Sequence, residues 1–299
     1  MSFRAERAVS PLDGSELWVV LDPRFVMHRE ASDFLRALHG AGRSPHTIRV
    51  YAGRVASFLG WCAGQGVEWS SIALAELARF KHFAEATPGR GGRLRSGATV
   101  NATLTAVCEF LRFCARTGLV EAAVAERLSE PRWLRFTPPG FDAGESGQFR
   151  TVRARALKAR AQTPFPEALT SEQTGAVLAC CRRPREHFMV VLLLETGLRI
   201  GEAFALRRLR FDHQTRTLTI AEAVEEVSGR QYWDTPKGHR RRSIKLPTFV
   251  ADRLARHLRT RPEEPDTLIF VGRTGHALSL ASVMGPAVCH DLGTTESGR

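Results

Sequence analysis

The sequence predicts a mainly helical protein with a small β-meander, divided into an all-helical first domain and a mixed α+β second domain. Three observations carry this. Over residues 44–62 the apolar side chains return every three or four positions, the period of one face of a helix. Over 217–246 the apolar runs become short and alternating, as in half-buried strands. Between about 130 and 166, Pro131, Pro138, Pro139, Gly140, Gly144, Gly147, Pro164 and Pro166 interrupt every period, as an interdomain linker would. A chain of 299 residues is long enough for two domains, each with its own core.

Taken in order, residues 1–25 read as an irregular lead-in. Phe34, Leu35 and Leu38 mark a first helix. The second starts at Ser44 as N-cap with Pro45 in the first helical position, and turns Ile48, Tyr51, Val55, Phe58, Leu59 and Cys62 inward. Leu74, Leu77 and Phe80 suggest a third. After the basic loop Gly89-Arg90-Gly91-Gly92-Arg93, a fourth buries Val100, Leu104, Val107, Phe110, Leu111 and Cys114. Residues 26–125 thus form the helical domain and 126–165 the linker, which is basic over 150–160 and free of helix breakers over 151–162. The second domain, 166–299, opens on the capping-box pattern Thr170-Ser171-Glu172-Gln173. A long apolar helix follows, breaks at Gly197 and resumes. Three strands of one meander are expected at 217–224, 231–235 and 243–246, then a helix at 250–258 and a short core segment at 268–271.

Lysine and arginine number 43 against 31 aspartate and glutamate, a net charge of +12. Such an excess favours a polyanionic partner, nucleic acid first, because each neutralised phosphate releases condensed counterions. The six cysteines, Cys62, Cys108, Cys114, Cys180, Cys181 and Cys289, include no Cys-x-x-Cys pair and read as buried thiols of a reducing cytosol. No signal peptide or membrane-length apolar run is present, so a cytoplasmic protein without a membrane partner is expected. Metal and nucleotide cofactors have no motif.

Two segments carry the chemistry. Thr196-Gly197-Leu198-Arg199-Ile200-Gly201-Glu202 sets Arg199 at a helix–helix junction, aimed away from the core. Asp234-Thr235-Pro236-Lys237-Gly238-His239-Arg240-Arg241-Arg242 is a basic hairpin turn. In the helical domain, Arg43-Ser44-Pro45-His46-Thr47-Ile48-Arg49 and Arg95-Ser96-Gly97-Ala98-Thr99-Val100-Asn101 are helix starts rich in cations and short polar side chains. Together these segments resemble the tyrosine recombinases, the phage-integrase family, over residues 26–292.

The resemblance implies a SAM-like core-binding domain followed by a tyrosine-recombinase catalytic domain, the two clamping a DNA duplex, with four protomers on two sites and no cofactor. It makes Arg199 a clamp on the scissile phosphate, since a guanidinium fork pairs with two phosphate oxygens and stays charged. Lys237 becomes the general acid for the leaving 5′ oxygen, His290 a second-box residue, and Glu202 a local brace. Arg43, His46, Thr47, Arg49, Arg95, Thr99, Asn101, Arg240, Arg241 and Arg242 become DNA contacts.

The second box departs from the pattern. His290-Asp291-Leu292-Gly293-Thr294 has glycine where the family has its second arginine, and no nucleophilic tyrosine follows. Loss of one base from an Arg-His codon pair would produce Gly293-Thr294; drift at a real terminus is the other explanation. On this reading the catalytic domain is incomplete at its C-terminus, Leu192–Leu194 lack cover, the second domain is the less stable, and the chain alone cannot cleave DNA. A non-catalytic DNA-binding accessory or regulatory protein is the main alternative. A helix-turn-helix transcription factor is a third, and it leaves Arg199 and Lys237 without a role.

Overall fold

A computed structural model describes residues 2–11, 14–89, 91–127, 129–133, 151–155, 157–161, 168–236, 240–272, 275–278 and 283. The chain divides into two compact units, Met1–Phe165 and Pro166–Arg299.

The first unit is built on helices α1 (Arg29–Gly40), α2 (Pro45–Gln65), α3 (Leu74–Ala86), α4 (Gly97–Arg116) and α5 (Ala122–Arg127). Their starts follow from local chemistry. Ser44 Oγ accepts the Thr47 N–H at 3.3 Å and Ser96 Oγ accepts that of Thr99 at 3.2 Å, each satisfying one orphan donor of a first turn. Gly66 closes α2 with φ +64°, a left-handed conformation that suits glycine. Phe34, Phe58, Leu59, Phe80, Phe110 and Leu111 fill the core, each removed from water almost completely. Burial on that scale contributes roughly 1.5–3 kcal/mol per side chain.

Residues 1–25 are not irregular. Strands β1 (Arg4–Val9) and β2 (Glu16–Leu21) form an antiparallel hairpin in the register Arg4↔Leu21 to Val9↔Glu16. Val20 is fully buried and Trp18 packs on the helical core. The charged β1 shows no apolar alternation, so the hairpin becomes visible only through its partner. Nor is 126–165 only a linker: β3 (Ser129–Trp133) pairs with β4 (Thr151–Arg155), so 151–155 is strand rather than helix. Beyond β4, Leu157 and Ala159 pack on the helical core.

The second unit contains α6 (Ser171–Cys180), α7 (Pro184–Thr196), α8 (Ile200–Phe204) and α9 (Thr248–Arg259). Thr170 and Gln173 bond reciprocally at the start of α6, Gln173 N–H to Thr170 Oγ1 at 3.1 Å and Thr170 N–H to Gln173 Oε1 at 2.9 Å. The strands are β5 (Phe211–Asp212), β6 (Thr217–Ile220), β7 (Ala223–Val227), β8 (Arg230–Asp234) and β9 (Arg242–Lys245). They do not form one meander. The expected strand at 217–224 divides, and β5–β6–β9 make one antiparallel sheet while β7–β8 stand as a separate hairpin. The turn between β7 and β8 explains this. Ser228 (φ +52°) and Gly229 (φ +80°) are both left-handed, the two-residue turn that matches strand twist and closes a hairpin on itself.

Phe188, Met189, Leu192, Phe204, Leu218, Ile220, Leu254, Ile269 and Phe270 form the second core. Leu192 is fully buried, contrary to expectation, Leu193 is half-buried, and Leu194 is 44% exposed. Cys62 and Cys114 are buried thiols whose pKa burial pushes up to about 12, and Cys108 is buried too. Cys180 is exposed and Cys181 half-buried, so they do not fit the buried-thiol reading; Cys289 lies outside the described residues. Among the described residues no helix is long and apolar enough to cross a membrane.

Candidate nucleic-acid interface

In the second unit the site is organised by a buried carboxylate. Helix α7 ends at Gly197 (φ +62°), Leu198 anchors the chain in the core, and Arg199 takes extended backbone angles before α8. Helix α8 then lies so close to β7 that a Cβ on Gly201 would come within 2.5 Å of the Val224 carbonyl oxygen. That approach buries Glu202, which is 1% exposed.

Glu202 Oε2 accepts the Arg199 backbone N–H at 2.9 Å, and Oε1 accepts from Arg199 Nη1 at 3.3 Å. From β9, Arg242 binds both oxygens, Nη1 to Oε1 at 2.9 Å and Nη2 to Oε2 at 2.7 Å. The Arg242 hydrogen bonds hold the Glu202 carboxyl below its ordinary pKa, against the opposing effect of burial. The same bonds raise the Arg242 guanidinium. A bidentate pair of this kind is geometrically demanding and strong. The carboxylate therefore stays ionised and steers Arg199, whose side chain remains 59% exposed.

Three sequence-predicted residues meet here, and one changes role. Arg242, expected on phosphates with Arg240 and Arg241, has its guanidinium bound to Glu202. Arg240 and Arg241 are exposed. Lys237 and His290 lie outside the described residues.

In the first unit, Arg43, His46 and Thr99 are exposed, and Thr47, Arg49 and Arg95 half-buried. Buried Arg49 Nε has no hydrogen-bond partner among the described residues. Helices α2 and α4 run antiparallel: Arg43 shares a cavity of about 600 Å³ with Arg112 and Arg116, while further along α2 Arg54 Nη1 donates to the Ala102 carbonyl at 3.1 Å. The capped starts of α2 and α4 consequently sit at opposite ends of the pair, roughly 20 Å apart at 1.5 Å per residue. Each carries the same device, with Ser44 Oγ 3.1 Å from Thr47 Oγ1 and Ser96 Oγ 3.0 Å from Thr99 Oγ1. A helix start bears partial positive charge and attracts anions.

Asn101 does not present its amide to solvent. Its Nδ2 donates to the Ala159 carbonyl at 2.9 Å and its Oδ1 accepts the Ala159 N–H at 2.8 Å. Sequence reasoning also passed over Gly97, Gly201 and Arg54, whose functions depend on residues distant in the chain. Of the two tyrosines, Tyr51 packs beside Phe34, and burial together with a hydrogen bond to Glu109 raises its pKa, the opposite of what activates a nucleophile. Tyr232 lies in β8 opposite Glu225.

The second unit thus holds an exposed arginine braced by a buried carboxylate, and the first unit holds two cation-flanked helix starts. Residues 31–118 match the phage integrase N-terminal SAM-like domain, and over most of its length the chain is similar to tyrosine recombinases. Among its relatives, Transposase A from transposon Tn554 of Staphylococcus aureus is 24% identical over 198 residues, 64% of this chain and 53% of the transposase. Tyrosine recombinase XerC of Mesorhizobium japonicum is 28% identical over 247 residues, 80% of this chain and 67% of that protein. The chain thus spans about half the length of the transposase it matches. Among solved structures, the Tn1549 transposon integrase in complex with circular intermediate DNA superposes with a TM-score of 0.59 at 14% identity, covering 90% of this chain and 80% of that one. That likeness shows the fold.

Proposed function

We infer that this chain is a DNA-recombination protein of the tyrosine-recombinase type that binds duplex DNA through both units and, as the 299-residue chain, does not cleave it alone. The observation that carries the binding half is the Arg199–Glu202–Arg242 arrangement, in which a buried carboxylate aims an exposed guanidinium outward. The related integrase structures with DNA support the partner. In this reading Arg199 clamps a phosphate, Lys237 is the proton donor, His290 belongs to the same site, and Arg240 and Arg241 meet the backbone. Arg43, His46, Thr47, Arg49, Arg95 and Thr99 position the first unit. Copies of the chain assemble on DNA, as the family resemblance implies.

The non-cleaving half rests on the two tyrosines, one packed in the first unit with a raised pKa and one within a strand. The test is a titration of the purified chain with random-sequence duplex at several salt concentrations, followed by denaturing electrophoresis. Salt-sensitive binding is expected, with Arg199→Ala lowering the slope of log affinity against log salt by about 0.9. No protein–DNA adduct should survive denaturation. Absence of binding would sink the first half of the reading, and a surviving adduct the second. Sedimentation of the DNA complex tests assembly: a single copy per duplex at saturation would contradict it.

A further inference from the structure

Residues 157–161 cross the first turn of α4 in an extended path. Leu157 and Ala159 face inward, Ala159 being 6% exposed, while Lys158 and Arg160 face solvent. Two features lock this strap in place. Asn101, in the second turn of α4, holds both backbone polar groups of Ala159 at 2.8 and 2.9 Å, the reciprocal pairing a strand would offer. At the start of α4, Gly97 leaves room for the strap to pass: a Cβ there would lie 2.1 Å from the Arg160 carbonyl oxygen and 3.1 Å from Ala161 Cα. No side chain longer than glycine's hydrogen fits without moving the strap's backbone.

The result is a basic edge laid over a helix start. Arg95 precedes the α4 cap, Thr99 projects from its first turn, and Lys158 and Arg160 flank it from the strap. Among the described residues, none of these three cations has a carboxylate partner. Exposed cations grouped beside the positive end of a helix dipole are well placed to pair with an arriving anion.

We propose that residues 157–161 are a phosphate-contacting strap in which Lys158 and Arg160 bind the DNA backbone, and that Asn101 and Gly97 are positioning residues that hold it there. This rests on the reading of the first unit as DNA-binding and extends it. It also gives Asn101 a different task from the direct contact suggested by its place in the sequence.

The experiment uses the full chain and a random-sequence duplex of about three helical turns, because backbone neutralisation is independent of sequence. Salt slopes are measured for Lys158→Gln/Arg160→Gln, for Asn101→Ala, and for the triple variant. The charge-removing pair should lower the slope by about 1.8, or 0.9 per lost contact. Asn101→Ala removes no charge, yet it should lower the slope as well, with loss of amide-exchange protection at Ala159. In the triple variant it should add nothing to the effect of the pair, because a positioning residue has nothing left to position.

A slope unchanged by Lys158→Gln/Arg160→Gln in a chain that still binds DNA overturns the strap while leaving the DNA-binding reading intact. Additive effects in the triple variant would mean that Asn101 touches DNA itself, and would overturn its positioning role. Failure of the parent chain to bind any duplex removes the reading beneath both. If Asn101→Ala fails to fold, Gly97→Ala serves as the second way to displace the strap, and the surface pair stands as an independent test.

Discussion

Glu202 holds two guanidinium groups that are not equivalent. Arg242 makes the bidentate pair, whereas Arg199 makes one 3.3 Å side-chain bond and leaves most of its fork free. Removing Arg242 leaves a buried carboxylate with only the Arg199 backbone N–H and one 3.3 Å side-chain bond, so Arg242→Ala should cost the second unit about 2 kcal/mol in denaturant unfolding. Arg199→Ala should change stability by no more than about 0.5 kcal/mol, as surface substitutions do, and show its effect in DNA affinity. Reversal of that ranking would mean that the bracing and clamping roles have been exchanged.

His28 offers a second test at this scale. Its Nδ1 accepts the Ala31 N–H at 3.3 Å as the cap of α1, a bond available only to the neutral ring, and burial holds its pKa below the ordinary histidine value. The unfolded chain therefore takes up this proton at a higher pH than the folded one. The contribution is complete above about pH 6.5 and is lost as pH falls through the lowered folded value. Amide exchange in α1, corrected for its intrinsic pH dependence, should accelerate as pH falls below about 6.5, and His28→Asn, a non-titrating cap, should flatten that dependence. Equal acceleration in the variant would assign the effect to another group.

At the scale of elements, the close approach of α8 to β7 depends on Gly201. A methyl group there meets the Val224 carbonyl oxygen at 2.5 Å, so Gly201→Ala should destabilise the second unit by about 1–3 kcal/mol, the usual cost of overpacking. Ser44→Ala and Ser96→Ala should each cost about 1 kcal/mol through a lost cap. Thermal melts of the three variants give the comparison; a Gly201→Ala melt matching the parent would show that the α8–β7 contact relaxes freely.

These helices were legible because their signals are local. Ser44 and Thr47, Ser96 and Thr99, and Thr170 and Gln173 are each three residues apart, and the apolar faces of α2 and α4 repeat within a turn. What escaped was non-local. Asn101 finds its partner 58 residues away, and β9 pairs with β6 across the whole β7–β8 hairpin. Arg242 was visible as a cation but not as a brace, since guanidinium pairs equally well with phosphate and carboxylate. Only the position of Glu202, forty residues back, decides between them.

At the scale of the molecule, each unit has its own core, and among the described residues their helices differ in how much they bury. Every helix of the first unit from α1 to α4 buries apolar residues, whereas α6 buries none fully and α7 leaves Leu194 in solvent. Limited proteolysis should therefore cut first within 166–299 and release a resistant fragment containing 29–116. A second unit that outlasts the first would contradict the prediction.

The N-terminal hairpin has a consequence for the molecule's behaviour in concentrated solution. Strand β1 is paired on one side only among the described residues, so a row of backbone donors and acceptors six residues long faces outward. Such an edge is a template for uncontrolled strand addition between molecules. Its sequence, Arg-Ala-Glu-Arg-Ala-Val, places three charges where an invading strand would have to shed their hydration. The residues that made the strand hard to recognise also act as its gatekeepers. Replacing Glu6 and Arg7 with valine would strengthen the strand and remove that guard, and light scattering of the concentrated protein should rise as a result.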